Sequence, residues 1–114
     1  MTLQEFFESY YATVSKGDLD ELKAFYTTSS PLFETNYQQF SAMRQQFDFS
    51  LSVQSIGLLS KQDDLLIARD ELRFDAVIEG NEVVQVSTNV HILTRENGEW
   101  KIFNSALIPE QKVA

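Results

Sequence analysis

Residues 83–108 read Val-Val-Gln-Val-Ser-Thr-Asn-Val-His-Ile-Leu-Thr-Arg, then Glu-Asn-Gly, then Glu-Trp-Lys-Ile-Phe-Asn-Ser-Ala-Leu-Ile. Asn97-Gly98 readily takes positive φ, so two alternating runs, Val83 to Arg95 and Glu99 to Ile108, are expected to pair as a β-hairpin. In the first run Val84, Val86, Thr88, Val90 and Ile92 share one face, and Gln85, Ser87, Asn89 and His91 share the other. Side chains alternate across a strand, so the apolar set is expected to face the core and the polar set water or an interface. His91, the single histidine, thereby falls on the outward face. Past the turn, Trp100, Ile102, Asn104, Ala106 and Ile108 share one parity, which sets the Asn104 amide among apolar neighbours and is the first sign of a pocket.

Working back from the hairpin, Gly80-Asn81 turns the chain out of another long strand, Leu65 to Glu79. Its even positions are Leu66, Ala68, Asp70, Leu72, Phe74, Ala76 and Ile78, so Asp70 is the one charge on an apolar face. Its central odd positions, Arg69, Glu71, Arg73 and Asp75, alternate in sign and read as a solvated or isologous dimer surface. Phe49, Leu51 and Val53 alternate likewise, but Ile56 and Leu58 fall out of phase around Gly57, which predicts a bulge.

Before Phe49 the apolar period is near 3.6. Leu3, Phe6, Phe7, Tyr10 and Val14 mark a first amphipathic helix ending at Lys16-Gly17. Asp18 with Glu21 has capping-box spacing for a second helix carrying Leu19, Leu22, Phe25 and Tyr26 inward. Thr27 to Asn36 reads as a loop with at most a short strand at Leu32-Phe33, and Tyr37, Phe40, Met43 and Phe47 mark a third helix. The pattern predicts one α+β domain over residues 1–114: three N-terminal helices packed in the concave face of a curved, mainly antiparallel sheet of four to six strands.

Composition narrows the function classes. Of 114 residues, 43% are hydrophobic and 12% aromatic, enough for a packed core. The net charge of −8, from nine basic and seventeen acidic residues, repels phosphate backbones, and no basic stripe offsets it, so nucleic acid is not an expected partner. The absence of cysteine removes disulfides, zinc-thiolate sites and cysteine nucleophiles. No apolar run reaches membrane-spanning length and Met1 to Phe7 lacks a basic leader region, so a cytoplasmic, membrane-free protein is expected. No motif for nucleotide, metal or flavin appears, and cofactor-free operation is expected.

The run Tyr10-Tyr11-Ala12-Thr13-Val14-Ser15-Lys16-Gly17-Asp18-Leu19-Asp20, followed by Phe25 and by Gly98-Glu99-Trp100-Lys101-Ile102, resembles the nuclear transport factor 2-like superfamily. That group includes ketosteroid isomerase, scytalone dehydratase, limonene epoxide hydrolase and the SnoaL-type polyketide cyclases. The resemblance covers nearly the whole chain and implies a cone-shaped, cystatin-like fold with an apolar cavity, often dimeric through the outer sheet face. Its motifs specify fold more than activity. Resemblance to ketosteroid isomerase implies a catalytic tyrosine at Tyr10 and, by ungapped counting, a general-base carboxylate at Glu34. That enzyme's late-strand acid has no counterpart here, since the corresponding stretch reads Asn89-Val90-His91. The carboxylate-Arg-carboxylate relay of limonene epoxide hydrolase is not evident either, because Arg69 and Arg73 point away from the face of Asp70.

Two readings follow. In the first, the chain binds a small apolar or carbonyl ligand and possesses the groups for isomerisation, dehydration or cyclisation: Glu34 or Asp70 carries the proton, and Tyr10 and Asn104 orient the ligand. Tyr26, Phe74, Val90, Trp100 and Asn104 are expected to line the cavity, and burial is expected to raise the Asp70 carboxyl. In the second, the chain is a noncatalytic dimerisation or ligand-sensing module, its cone closed by Phe25, Phe47, Phe74 and Trp100.

Overall fold

A computed structural model describes residues 2–108. The first helix, α1 (Leu3–Lys16), begins where Thr2 and Glu5 satisfy each other's backbone: the Glu5 amide donates to the Thr2 hydroxyl at 3.1 Å and the Thr2 amide to Glu5 at 3.2 Å. It buries Phe7, Tyr10, Tyr11 and Val14. At its end the Gly17 N–H reaches the carbonyls of Ala12 and Thr13.

The segment after Gly17 is a 3₁₀ helix, Leu19–Phe25, rather than the α-helix that the Asp18/Glu21 spacing implied. Asp18 caps it through the Asp20 amide at 2.9 Å, not through residue 21. Tethering explains the tighter winding. Tyr26 bridges to Ile102 and the Thr27 amide donates to the Ile102 carbonyl at 3.0 Å, so few residues separate α1 from a fixed point on the sheet. The next helix, α2 (Phe33–Gln46), starts ahead of Tyr37 and absorbs the Leu32-Phe33 pair. None of its residues is buried, and the Arg44 guanidinium anchors it by donating to the Gly17 carbonyl at 2.6 Å.

Four strands, β1 (Asp48–Lys61), β2 (Leu65–Ile78), β3 (Asn81–Glu96) and β4 (Glu99–Ile108), follow as an antiparallel meander in that spatial order. Both tight turns have two residues at positive φ: Glu79 and Gly80 at 52° and 80°, Asn97 and Gly98 at 53° and 81°. Such turns match the twist of the flanking strands. Bulges flank Gly57 on both sides, between Val53 and Ser55 and between Leu58 and Ser60, and bend β1.

Helix α1 and the 3₁₀ helix fill the concave face in the nuclear transport factor 2-like manner that the sequence implies. On β2, Leu66, Ala68, Asp70, Leu72 and Ala76 are buried. The hairpin register pairs Leu66 with Leu93, Ala68 with His91 and Asp70 with Asn89. Paired residues share a face, so the odd residues of β3 point inward, the reverse of the expectation from its own alternation. His91 is buried, 3% exposed, whereas Val84 and Val86 lie outside, 54% and 64% exposed. The apolar content of β3 misleads because its partner strand, not its own composition, decides the face.

Candidate functional site

Asp70 is fully buried at the centre of a polar network on the concave face. Three side chains reach its carboxylate. The Tyr11 hydroxyl donates to Oδ2 at 2.7 Å, the Asn89 amide donates to Oδ1 at 3.0 Å, and His91 Nε2 lies 2.6 Å from Oδ2. They come from two elements: Tyr11 follows Phe7 by one helical turn on α1, while on β3 Asn89 is Asp70's direct partner across the β2–β3 ladder and His91 is the next inward residue. Burial pushes the Asp70 carboxyl upward, but the hydrogen bonds from His91, Tyr11 and Asn89 outweigh it, holding the group below its ordinary 3.8. The desolvated acid expected from its lone position is therefore an ionised, fully partnered carboxylate. Burial, then the charge of Asp70, raises the Tyr11 hydroxyl far above the usual phenol range, so it stays a neutral donor.

The network continues outward. His91 Nδ1 lies 2.6 Å from the Ser105 hydroxyl, and the His91 ring packs 4.4 Å from that of Phe7. An ionised carboxylate only accepts, so a His91 hydrogen sits on Nε2, and in the neutral ring Nδ1 then accepts from the Ser105 hydroxyl. Asn89 and Ser105 are half-buried and form the solvent edge of the network.

The other sequence candidates are dispersed. Tyr10 hydrogen-bonds Tyr26, which also accepts from the Asn36 amide at 3.1 Å; burial raises the Tyr10 hydroxyl most, with its Tyr26 neighbour adding to the shift. The phenol that reaches Asp70 is its neighbour Tyr11. Glu34 lies in the first turn of α2, exposed, accepting from Gln38 at 3.1 Å, and shares no hydrogen bond with Asp70. Phe74 stacks on Phe49 at 5.7 Å and meets Phe47 edge-on, closing one end of the sheet. Asn104 is turned away: a bulge between Ile92 and Leu93 pairs Asn104 with Ile92 on the outer face, where its side chain accepts from the Ser105 amide at 2.9 Å. Val90 shares that outer face, paired with exposed Arg69. The same bulge brings Ser105, unremarked in the sequence, inward opposite His91.

Trp100 lines a cleft of about 700 Å³ between the start of α1, the end of the 3₁₀ helix and two hairpin turns. Its walls are Leu3, Phe6, Phe25, Leu66, Leu93 and Trp100, with Thr2, Lys61 and Lys101 supplying donors and Glu99 the one carboxylate. The Arg95 guanidinium covers the Trp100 ring at 4.4 Å while donating to the Asp63 carbonyl at 2.8 Å, so the indole is held rigidly. Leu93 is the next inward residue after His91, which places cleft and polar network side by side along β3.

Tyr11, Asn89, His91 and Ser105 escaped the sequence reading as site residues. A signal existed for the first: Phe7, Tyr11 and Val14 have core spacing as regular as that of Tyr10. Among the described residues, no group of three or more His, Cys, Asp or Glu could hold a metal, and no helix is long and apolar enough to cross a membrane.

Solved structures share the fold. A nuclear transport factor 2-like superfamily protein from Salmonella enterica serovar Typhimurium superposes with a TM-score of 0.77 at 16% identity, covering 98% of this chain and 91% of that one. A putative aromatic ring hydroxylase from Novosphingobium aromaticivorans gives 0.80 at 13% identity, covering 92% and 84%. A putative calcium/calmodulin dependent protein kinase II association domain from Xanthomonas campestris gives 0.71 at 15%, covering 92% and 84%. At such identities the likeness establishes the nuclear transport factor 2-like fold and nothing more. No curated protein matches the chain in sequence. Residues 5–111 match a family model described as the anti-sigma-I factor RsgI9, C-terminal domain.

Proposed function

The chain belongs to the anti-sigma-I factor RsgI9 C-terminal domain family, and from that membership we propose that residues 1–114 act as one ligand-sensing domain that binds a small apolar ligand bearing a carbonyl. The observation that carries the reading is the cleft beside Trp100. Its volume of about 700 Å³ lies within the usual range for small-molecule sites. Its walls are aromatic and aliphatic, and the groups at its edge are mainly donors, Thr2, Lys61 and Lys101, which a carbonyl oxygen accepts from. Membership in a family named for a regulator favours recognition over turnover. Asp70 contributes by rigidity, since it fixes β2, β3 and α1 behind the cleft through its three partners.

A thermal-shift panel of apolar ketones, lactones, steroids and aromatic polyketide fragments tests this. A ligand at 100 times its dissociation constant stabilises a protein by about 2.7 kcal/mol. At least one class is expected to raise the melting temperature of the wild-type protein, and Trp100→Ala is expected to abolish the shift. No shift across the panel, or an equal shift in Trp100→Ala, would remove the cleft from ligand binding.

A second reading rests on a separate observation, the exposed apolar stripe of Val84 and Val86 on the outer sheet face. It supports assembly of two copies through that face, compatible with ligand sensing in the cleft.

A further inference from the structure

We propose that Ser105 is an acyl-accepting nucleophile, activated by His91 and Asp70, for small apolar carboxylic esters. The bent β4 carries the evidence. Because the bulge at Phe103 shifts its register, Ser105 faces His91 directly across the β3–β4 ladder. Asp70 Oδ2, His91 Nε2, His91 Nδ1 and Ser105 Oγ then form a continuous chain with two links of 2.6 Å. A nucleophile bonded to an imidazole, itself oriented by a buried carboxylate, is the arrangement that general-base-assisted acyl transfer needs. The ring is used in the inverse sense to the serine-protease pattern, with the carboxylate on Nε2 and the hydroxyl on Nδ1.

The inner part of the chain is shielded and its outer end is reachable. Asp70 is 0% and His91 3% exposed, whereas Ser105 is half-buried and its next neighbour on the same strand face, Leu107, is 63% exposed. The second hydrogen bond to Asp70 Oδ2, from Tyr11, and the tilted Phe7 ring packed 4.4 Å from the imidazole hold the ring in place. Leu107 offers an apolar surface beside the hydroxyl, which selects an apolar acyl group over a charged one.

The step balances without any co-reactant but water. Ser105 Oγ forms a bond to the ester carbonyl carbon as its proton passes to His91 Nδ1, while Nε2–H remains bonded to ionised Asp70. The tetrahedral adduct collapses, the ester C–O bond breaks, and the alcohol leaves with the proton from Nδ1. Water then attacks the acyl carbon, giving its proton to Nδ1; the acyl–Ser105 bond breaks, the carboxylic acid is released, and Ser105 recovers its proton from Nδ1.

The test is incubation of the full chain with p-nitrophenyl butyrate, following nitrophenolate release and locating the adduct by peptide mass spectrometry. An acyl adduct on Ser105, absent in Ser105→Ala, is expected, with release at least tenfold slower in Ser105→Ala and in His91→Gln. Adducts confined to lysines or tyrosines, or equal release by Ser105→Ala, would overturn the proposal. If His91→Gln fails to fold by circular dichroism, the wild-type protein still decides: acylation of Ser105 must slow in D₂O when a base takes the proton, and an unchanged rate would exclude activation by His91.

Discussion

Asp70 shows what one side chain demands of its surroundings. A carboxylate with no exposure is costly unless its acceptor sites are filled, and here Tyr11, Asn89 and His91 fill them. Its folded-state ionisation lies below the ordinary 3.8 because those partners outweigh desolvation. A group whose pKa is depressed on folding contributes stability above its unfolded value and loses it as pH falls through the folded one. The wild-type protein is therefore expected to lose stability progressively below about pH 4, and Asp70→Asn to have a shallower acid limb in urea titrations run across that range. The variant should also be weaker at pH 7 by about 2 kcal/mol, the worth of hydrogen bonds to a charged group. An acid limb as steep as wild type would show that Asp70 does not titrate there. The burial of Asp70 was legible from strand parity, because a single charge stood among six apolar even positions of β2. The sign of its shift was not: Tyr11 is 59 residues away in sequence and His91 is 21 away, and only their arrival reverses the effect of burial.

At the scale of elements, local chemistry spoke clearly where one dipeptide decides geometry. Asn97-Gly98 forms the predicted turn, both residues at positive φ, and the bend near Gly57 materialises as two bulges around it. Elements decided by distant partners were misread. The 3₁₀ helix is wound tight by its tether to Ile102, and β3 turns its polar side inward because β2 dictates the register. Ser105 and Asn104 exchanged faces for the same kind of reason, one extra residue in β4 that no local pattern announced. Two glycines make the contrast between tight and open elements measurable. A Cβ at Gly17 would stand 2.8 Å from the Thr13 Cα, part of α1's backbone, so Gly17→Ala forces α1 away from the corner that Arg44 also grips. A loss of about 1–3 kcal/mol in urea unfolding is expected. Gly57 has nothing within 4 Å of the same position, so Gly57→Ala is expected to lie within about 0.5 kcal/mol of wild type. Equal effects for the two would mean that the corner is not the tight junction it appears in the packing.

For the whole molecule, the decisive contrast is between a filled concave face and an apolar convex one. Aromatic residues of α1 and the strands occupy the inside, including Phe7, Tyr10 and Phe49, while the outer face carries the β3 stripe of Val84, Val86, Thr88, Val90 and Ile92 beside the alternating Arg69, Glu71, Arg73 and Asp75 of β2. Alternating charges flanking an apolar stripe are self-complementary: a two-fold axis through β3 would set the positive positions of one copy near the negative positions of the other. Two like copies at −8 repel at long range, and salt screens that repulsion without weakening apolar burial. The chain is accordingly expected to be a homodimer in light scattering at micromolar concentration, with association tightening as salt rises from low to moderate ionic strength. Val86→Lys, at the most exposed apolar position of the stripe, should yield a folded monomer by placing a cation against its own symmetry mate. A wild-type monomer, or a Val86→Lys dimer as tight as wild type, would release the outer face from this role and leave the cleft and the Ser105 edge to be judged on a single copy.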